Sequence, residues 1–282
     1  MNSTERNSEH NDVGTAVGVG GVSRLFAVLR CLGDCPEGGE RVTQLAQRVG
    51  LSQPTTHRLL RSLVEEGMVE QDQLSKRYRL SIEFFALAAK AGNSGNLRDL
   101  VRPSLLRLSA SLGDSLFLLA RSGFDAICLD RSEGPYPIRT FTGDIGGRVA
   151  LGVGQGSLAI LAFLPEEERE TVIRYNLPRL KDFHLYDEVL LRSEIDNVRR
   201  QGYAARNTGA LPGMAGLAVP ILDRSGRAVA ALSVATISDR LGPDRLLTVV
   251  ELLKREAGAV SARINPFDPS LRRPSQVFGL SD

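Results

Sequence analysis

Residues 42–64 read VTQLAQRVGLSQPTTHRLLRSLV and contain two short helical patterns joined by a turn at Val49-Gly50-Leu51. The second pattern carries Arg58 and Arg61 and has no acidic residue before Glu65. This layout is typical of a helix-turn-helix, in which the second helix enters the major groove of DNA. The stretch therefore makes nucleic acid the first partner to consider.

The residues around the turn support this interpretation. Thr43 and Ser52 are predicted to cap the two helices, and Gly50 permits the positive φ that the turn needs. An earlier pattern, SRLFAVLRCLGD, predicts a helix capped by Ser23. Residues of the third helix at inward spacing are expected to pack on the first two helices: Thr56, Leu59, Leu60, Leu63 and Val64.

The chain then reads MVEQ-DQLS-KRYRLS, two alternating segments around a polar turn, which predicts a β-hairpin. A hairpin at this place is the wing of a winged helix, and its basic residues add positive charge. Clustered cations favour DNA because each neutralised phosphate releases counterions. The residues predicted to contact DNA are Ser52, Gln53, Thr55, His57, Arg58, Arg61, Lys76 and Arg77.

The residue types suggest individual roles at such an interface. Gln53 suits an adenine edge, and Arg58 suits a guanine or a phosphate. Thr55 can donate to a phosphate near the helix N-terminus. His57 suits a phosphate contact or a local structural bond. The alternative is a three-helix packing module whose basic face is merely solvated.

The composition limits the class of protein. The 282 residues suffice for two domains, and the net charge of +2 means that any basic surface must be local. The odd count of 3 cysteines argues for a reducing compartment. No run approaches the about 20 apolar residues of a membrane span, and no signal-peptide pattern opens the chain. A cytoplasmic protein without membrane association is expected.

A second module follows a strongly apolar helical segment. Strands are expected at 115–121, 126–132 and 137–141, and further strands flank a turn at 223–226. Helical patterns cover 98–112 and 242–264, so the module is predicted to be an antiparallel α+β sheet. The expected organisation is a mobile tail at 1–20, a winged helix at 21–82, a linker helix at 83–97, an effector domain at 98–265 and a tail at 266–282.

A glycine-rich run at 152–157 opens one of the helices of this module. Free backbone N–H groups at a helix N-terminus favour an anion such as a carboxylate, although the run could equally be a close-packed turn. No P-loop lysine follows, and no βαβ unit surrounds the run, so nucleotide binding is disfavoured.

Several separated motifs resemble those of IclR-type bacterial transcriptional regulators. RVTQLAQRVGLSQPTTHRLLRSLVEEGMVEQ and RYRLS resemble the winged helix. LDRSEGPYPIR, GGRVALGVGQGSLAILAFL, VRRQGYAARN and GLAVPILDRSGRAVAALSVATISDRL extend the resemblance over roughly residues 21–264. It implies an operator-binding domain and a GAF/PAS-like sensor of a small metabolite, often a carboxylic acid. It also implies a homodimer or homotetramer, with the linker helix packed between subunits. The alternative is that this apolar helix is buried within one chain.

The resemblance also implies an effector pocket. Glyoxylate-type binders place an acid, a cysteine and two serines where this chain has Arg206, Gly216, Ser233 and Ala235, so only one of the four is retained. A larger, aromatic or branched acid is therefore expected. Either Arg148 or Arg206 could pair with its carboxylate, or each could be a surface arginine, and Ser233 could be a plain strand serine. The implied pocket residues are Arg148, Gly154, Gln155, Arg206, Gly216, Ser233 and Ala235.

Catalysis, cofactors and metal ions are not expected. The histidines at 10, 57 and 184 suggest no triad, and no G-x-S-x-G elbow occurs. Cys31 and Cys35 lack a second cysteine pair for zinc. The expected function is a ligand-responsive transcription factor, and repression is favoured over activation. The alternative is a sensing or oligomerisation protein whose winged helix contacts another protein.

Overall fold

The computed structural model describes residues 20–36, 38–84, 86–87, 97–136, 144–180, 187–206 and 213–264. The chain divides into two compact units, Met1–Asn93 and Ser94–Asp282. Residues 83, 84, 86 and 87 of the expected linker helix are helical. The predicted tails at 1–19 and 266–282, the strand predicted at 137–141 and the rest of the linker up to residue 96 lie outside the described residues.

The first unit contains three helices and a small sheet. Its elements are α1 (Gly21–Gly33), β1 (Glu40–Arg41), α2 (Val42–Val49), α3 (Gln53–Glu65), β2 (Val69–Gln71) and β3 (Arg77–Leu80). The strands form an antiparallel sheet in the order β1-β3-β2. The predicted wing hairpin is confirmed. The sequence did not indicate β1, because a two-residue strand has no recognisable alternation.

The turn between α2 and α3 has the predicted conformation. Gly50 adopts the left-handed conformation with φ 65°, and the N–H of Leu51 donates to the carbonyl of Ala46 at 3.0 Å. Ser52 caps α3, and its Oγ accepts from the N–H of Thr55 at 3.4 Å. These local bonds fix the direction in which α3 leaves the turn.

Three local predictions in this unit are wrong. The cap of α2 is Arg41 rather than Thr43, because β1 runs directly into the helix and the N–H of Arg41 donates to Gln44 Oε1 at 3.4 Å. Helix α1 begins at Gly21, two residues before the predicted cap at Ser23. Val64 is 37% exposed and does not pack fully into the core.

The second unit contains a six-stranded sheet and five helices among its described residues. Its elements are α4 (Leu97–Leu112), β4 (Ser115–Ser122), β5 (Asp125–Ser132), β6 (Arg148–Ala150), α5 (Gly154–Ala162), α6 (Glu166–Leu180), α7 (Glu188–Gln201), β7 (Ala204–Arg206), β8 (Met214–Leu222), β9 (Ala228–Ile237) and α8 (Pro243–Ser261). A 3₁₀ turn at Ser238–Arg240 precedes α8. In the described parts of the chain, no helix is both long and apolar enough to cross a bilayer.

The sheet is antiparallel throughout, in the order β6-β5-β4-β9-β8-β7, so the predicted α+β sheet is confirmed. Helices α5, α6 and α7 contribute to the core cluster on one face, and α4 and α8 to the cluster on the other. The central strand β9 is buried over nine consecutive residues. This two-sided burial explains its nearly continuous apolar sequence, AVAALSVATI.

A buried carboxylate connects three elements of this unit. Asp114 is 1% exposed and accepts hydrogen bonds from Thr236 Oγ1 at 2.9 Å, Arg240 Nε at 3.0 Å and Arg245 Nη2 at 2.5 Å. These bonds join the start of β4 to the end of β9 and to the first turn of α8. Because the carboxylate is buried and both arginines are paired with it, the network is sensitive to loss of the carboxylate.

Helices α4 and α8 are joined by an ion pair that predicts a pH dependence of stability. Arg107 donates to Glu256 through Nη2 at 2.6 Å and Nε at 3.3 Å, and these bonds hold the pKa of Glu256 below its usual value. A lowered folded pKa stabilises the protein above the unfolded value of about 4.3, and this contribution is lost as the pH falls through the folded pKa.

Glu256→Gln is therefore expected to lower the free energy of unfolding at neutral pH. The variant should also lose less stability than the wild type between neutral pH and about pH 3, because the loss occurs below about 4.3 as the pH falls through the folded pKa. Urea unfolding at both pH values measures this difference. Parallel pH profiles for the two proteins would contradict the assignment.

Candidate functional site

Helix α3 buries one face and leaves the opposite face exposed. Thr56, Leu60 and Leu63 are 0–4% exposed and pack into the core of the first unit. The predicted contact residues Ser52, Gln53, His57, Arg58 and Arg61 are all exposed. The helix therefore presents polar and cationic side chains along an uncovered face of this unit.

The N-terminus of α3 is arranged to donate hydrogen bonds. Ser52 Oγ donates to Thr55 Oγ1 at 2.9 Å, so the hydroxyl hydrogen of Thr55 remains available to a further acceptor. The helix dipole adds positive potential at the same end. Pro54 has no N–H and the Thr55 N–H donates to Ser52 Oγ, so Gln53 supplies the remaining backbone donor of the first turn. This end of α3 can accommodate a phosphate oxygen.

The two arginines of α3 differ in their surroundings. Arg61 Nε donates to Glu65 Oε1 at 2.9 Å in an exposed ion pair one turn apart. Among the described residues, Arg58 has no hydrogen bond or ion pair and is exposed. Because its guanidinium does not have to leave a carboxylate before binding, Arg58 is the better prepared of the two to bind an anion or a base edge.

The tip of the wing hairpin is folded around one aspartate. Asp72 Oδ1 accepts hydrogen bonds from the N–H groups of Leu74 at 3.1 Å and Ser75 at 2.6 Å, and from the Ser75 hydroxyl at 2.8 Å. The bonds from Ser75 lower the pKa of Asp72. Lys76 follows with a positive φ of 58°, and its ammonium group is exposed without a partner in the described part of the chain.

The other cations of the wing are engaged within the unit. Arg77 is partly buried and donates through Nη1 to the carbonyl of Gly39 at 2.9 Å. Arg79 donates twice to Glu70 Oε2, at 3.0 and 3.1 Å. Arg77 therefore ties β3 to the residue that precedes β1. The sequence predicted a DNA contact for this side chain and did not indicate this bond.

A second group of predicted residues meets at the N-terminus of α5. A Cβ added at Gly216 would lie 3.3 Å from Gln155 Cγ, and one added at Gly156 would lie 3.3 Å from Ser233 Cβ. Gln155 is 8% exposed, and its Oε1 is buried without a hydrogen-bond partner in the described residues. A buried polar atom without a hydrogen-bond partner destabilises the folded state unless a ligand or a water molecule donates to it.

Small residues allow α5 to approach the sheet closely. A Cβ on Gly156 would lie 2.2 Å from Leu119 Cδ1, so only glycine fits this contact without movement. Phe117 pairs with Ser233 in the strand register and belongs to the same core cluster as Leu119. Neither residue was predicted to belong to the site, although their alternation in SLFLLAR places them on one face.

The strand register relates three further predicted residues. Gly216 on β8 lies between Arg206 on the edge strand β7 and Ala235 on β9. Gly154, with φ 74°, begins the helix directly before Gln155. The backbone of Arg206 is thus paired with Gly216, which faces the side chain of Gln155.

Arg148 is not brought to this cluster. It lies on β6, at the opposite edge of the sheet from β7, where Nη1 is 3.8 Å from Asp125 Oδ2 and 3.4 Å from Ser122 Oγ. Two strands, β5 and β4, separate β6 from β9. Of the three histidines, His57 lies on exposed α3, and residues 10 and 184 lie outside the described ranges.

The sequence matches two family models in the order of the two units. Residues 21–73 match the IclR helix-turn-helix domain, and residues 89–262 match the bacterial transcriptional regulator IclR C-terminal domain. The chain is 28% identical over 251 residues to the regulator KdgR of Escherichia coli strain K12, covering 89% of this chain and 94% of that protein. It is 28% identical over 239 residues to the transcriptional repressor IclR of the same strain, covering 83% and 87%.

Solved structures show the same fold. An IclR transcriptional regulator from Alicyclobacillus acidocaldarius matches with a TM-score of 0.70 at 24% identity, covering 86% of this chain and 97% of that one. An IclR homologue from Microbacterium hydrocarbonoxydans, solved with 4-hydroxybenzoate, matches with a TM-score of 0.71 at 23% identity and the same coverage. The exposed α3, the wing and the two family matches lead to one conclusion: the chain belongs to the IclR family of bacterial transcriptional regulators.

Proposed function

We propose that this DNA-binding regulator reads a palindromic double-stranded operator and that a small organic acid bound at α5 alters its operator affinity. The exposed cationic face of α3, with Arg58 unengaged, carries the DNA part of the proposal. Its contacts would be Ser52, Gln53, Thr55, His57, Arg58, Arg61 and Lys76. Arg77 is left out because its guanidinium is bound to the Gly39 carbonyl.

The unpartnered Oε1 of Gln155 carries the effector part. An amide can rotate to present either its oxygen or its NH₂ group, so Gln155 can accept from a ligand hydroxyl or donate to a carboxylate. The free N–H groups at the start of α5 also favour a carboxylate. Gly154, Gln155, Arg206, Gly216, Ser233 and Ala235 remain the proposed pocket residues, and Arg148 is omitted.

The small side chains at the pocket favour an aromatic acid. Gly216 and Ala235 are smaller than the cysteine and serine that glyoxylate-type binders place there, which favours a larger acid. Because a Cβ on Gly216 would already lie 3.3 Å from Gln155 Cγ, a ring would enter only with the Gln155 side chain turned aside. A homologue was solved with 4-hydroxybenzoate, which supports the same chemical class.

The assembly would be a cytoplasmic homodimer or homotetramer that represses transcription and has no catalytic activity. Two-fold symmetry of paired subunits matches a palindromic operator, which is why a palindrome is proposed. The ligand can change operator affinity only if it binds two conformations or assemblies unequally. The segment at 83–97, which joins the two units, is the proposed carrier of that difference.

The experiment screens the purified full chain against aromatic and aliphatic acids by thermal shift, since a bound ligand raises the apparent Tm. The best acid is then titrated against Gln155→Leu and the control Gln47→Leu, which replaces an exposed glutamine of the first unit. The loss of one polar partner should weaken binding about tenfold in Gln155→Leu only. Equal affinity in the two variants would remove Gln155 from the pocket.

Salt dependence distinguishes DNA binding from the alternative of a protein partner. Affinity for the promoter region of the chain's own gene is measured at several salt concentrations by fluorescence anisotropy. Binding to phosphates predicts a steep linear fall of log K with log salt concentration. An affinity that does not change with salt concentration, or no binding of that DNA, would favour a protein partner for the winged helix.

Lys76 and Arg77 are adjacent, yet their substitution should have different effects. Lys76→Ala removes an exposed phosphate contact and should reduce the salt slope by about 1 at nearly unchanged Tm. Arg77→Ala removes the bond to the Gly39 carbonyl and should lower the Tm of the first unit. Anisotropy titrations and thermal unfolding test both variants, and identical behaviour would contradict the assignment.

A further inference from the structure

A cluster of potential metal ligands lies in the first unit, outside both sites described above. Cys31 is near the end of α1, Cys35 follows the helix, and Glu40 begins β1. One ligand atom from each residue, the two Sγ atoms and a carboxylate oxygen, lies within 4.8 Å of the other two. Cys35 Sγ donates to Glu40 Oε2 at 3.2 Å. The strand β1 brings Glu40 to the cysteines. The expectation of no zinc site rested on cysteine pairs only and left this carboxylate out.

We propose that Cys31, Cys35 and Glu40 bind a thiophilic divalent metal ion of the Zn²⁺ type. Tetrahedral zinc has Zn–S distances of about 2.3 Å and Zn–O distances of about 2.0–2.2 Å, so its ligand atoms are separated by about 3.4–3.8 Å. The separations in the cluster need little adjustment to reach these values. Two sulfur ligands favour zinc-like ions over magnesium or calcium. A water molecule would complete the tetrahedron.

Arg48 of α2 would compete with the metal ion. Its Nη1 lies 2.9 Å from Glu40 Oε2 and 3.5 Å from Cys35 Sγ, so the guanidinium is the cation that the cluster now contacts. The side chain is 40% exposed and can turn into solvent when an ion binds. The Arg48 guanidinium, with a charge of +1, would then be replaced beside the Glu40 carboxylate by an ion with a charge of +2.

Metal binding must release protons from the thiols. Burial raises the pKa of Cys31 and raises that of Cys35 to about 12, so both residues carry S–H bonds before binding. Two Zn–S bonds form as two S–H bonds break, and the two protons pass to the buffer.

The test uses tag-free full chain, stripped of metal with a chelator and kept reduced. Co²⁺ is the spectroscopic probe, because thiolate coordination gives charge-transfer absorption, and Zn²⁺ affinity is measured by competition with a chromophoric chelator. We expect one ion per chain and affinity at least about tenfold lower in Cys35→Ser and in Glu40→Gln. Arg48→Gln should bind more tightly, because it removes the competing cation.

The matched control is Cys128→Ser, which changes a fully buried cysteine of the second unit. It should bind metal as the wild type does. Its Tm shows how much destabilisation a cysteine-to-serine change at a buried position causes without any loss of a metal ligand. Absence of thiolate–cobalt absorption in the wild type, or unchanged affinity in Cys35→Ser, would overturn the proposal. Loss of two titratable thiols in air, with no metal bound, would overturn it in favour of a disulfide.

Discussion

Arg58→Ala is expected to weaken operator binding by about 1–3 kcal/mol, or about 5- to 150-fold. The reason is that Arg58 is exposed on α3 and has no partner in the described part of the chain, so its guanidinium is available for a guanine edge or a phosphate. Anisotropy titration at fixed salt measures the loss. A loss on matched operator but not on scrambled DNA would identify a base contact.

Arg61→Ala is the matched comparison on the same helix. Because Arg61 is paired with Glu65, binding DNA requires that pair to break or to be shared, and the expected loss is smaller. Retained affinity in the double variant Arg58→Ala plus Arg61→Ala would remove α3 from the DNA interface. Circular dichroism should be unchanged in all three variants, since both side chains are exposed.

Asp114→Ala is expected to give the largest loss of stability, about 3–5 kcal/mol, because it leaves two half-buried guanidinium groups without their carboxylate. Arg240 and Arg245 would keep their charges, and Thr236 would lose its acceptor. Urea unfolding followed by circular dichroism measures the change from the midpoint at constant m. A loss below about 1 kcal/mol would show that the network contributes little net free energy.

Two further variants separate charge from hydrogen bonding at this position. Asp114→Asn keeps one acceptor oxygen and should have an intermediate effect. Asp196→Ala removes an exposed carboxylate of α7 and should change stability by no more than about 0.5 kcal/mol. If Asp114→Asn and Asp114→Ala are equally destabilised, the negative charge is the main contribution of the carboxylate.

The winged helix could be predicted because its signals are local. The turn needs a residue that tolerates positive φ, and the third helix needs a cap, so Gly50 and Ser52 identify both in the printed sequence. The strands of the second unit were equally readable where hydrophobic runs flank a short polar turn, as around 223–226.

The missed features depend on contacts between distant residues. The bond from Arg77 to the Gly39 carbonyl spans 38 positions, and no local pattern indicates it. The short edge strands β6 and β7 have three residues each, too few for a period of two to emerge. Arg148 was predicted to lie in the pocket for the same reason, because sequence alone does not give the order of strands in a sheet. The structure places it on β6, away from Gln155.

The aspartate turn at the tip of the wing has a consequence for binding kinetics. Since Asp72 already fixes the backbone of Leu74 and Ser75 in the free chain, the hairpin gives up little conformational entropy on meeting a phosphate. No disorder-to-order step should then slow the encounter, and association should be limited by diffusion and electrostatic attraction. A glycine-rich tip would instead lose conformational entropy on docking.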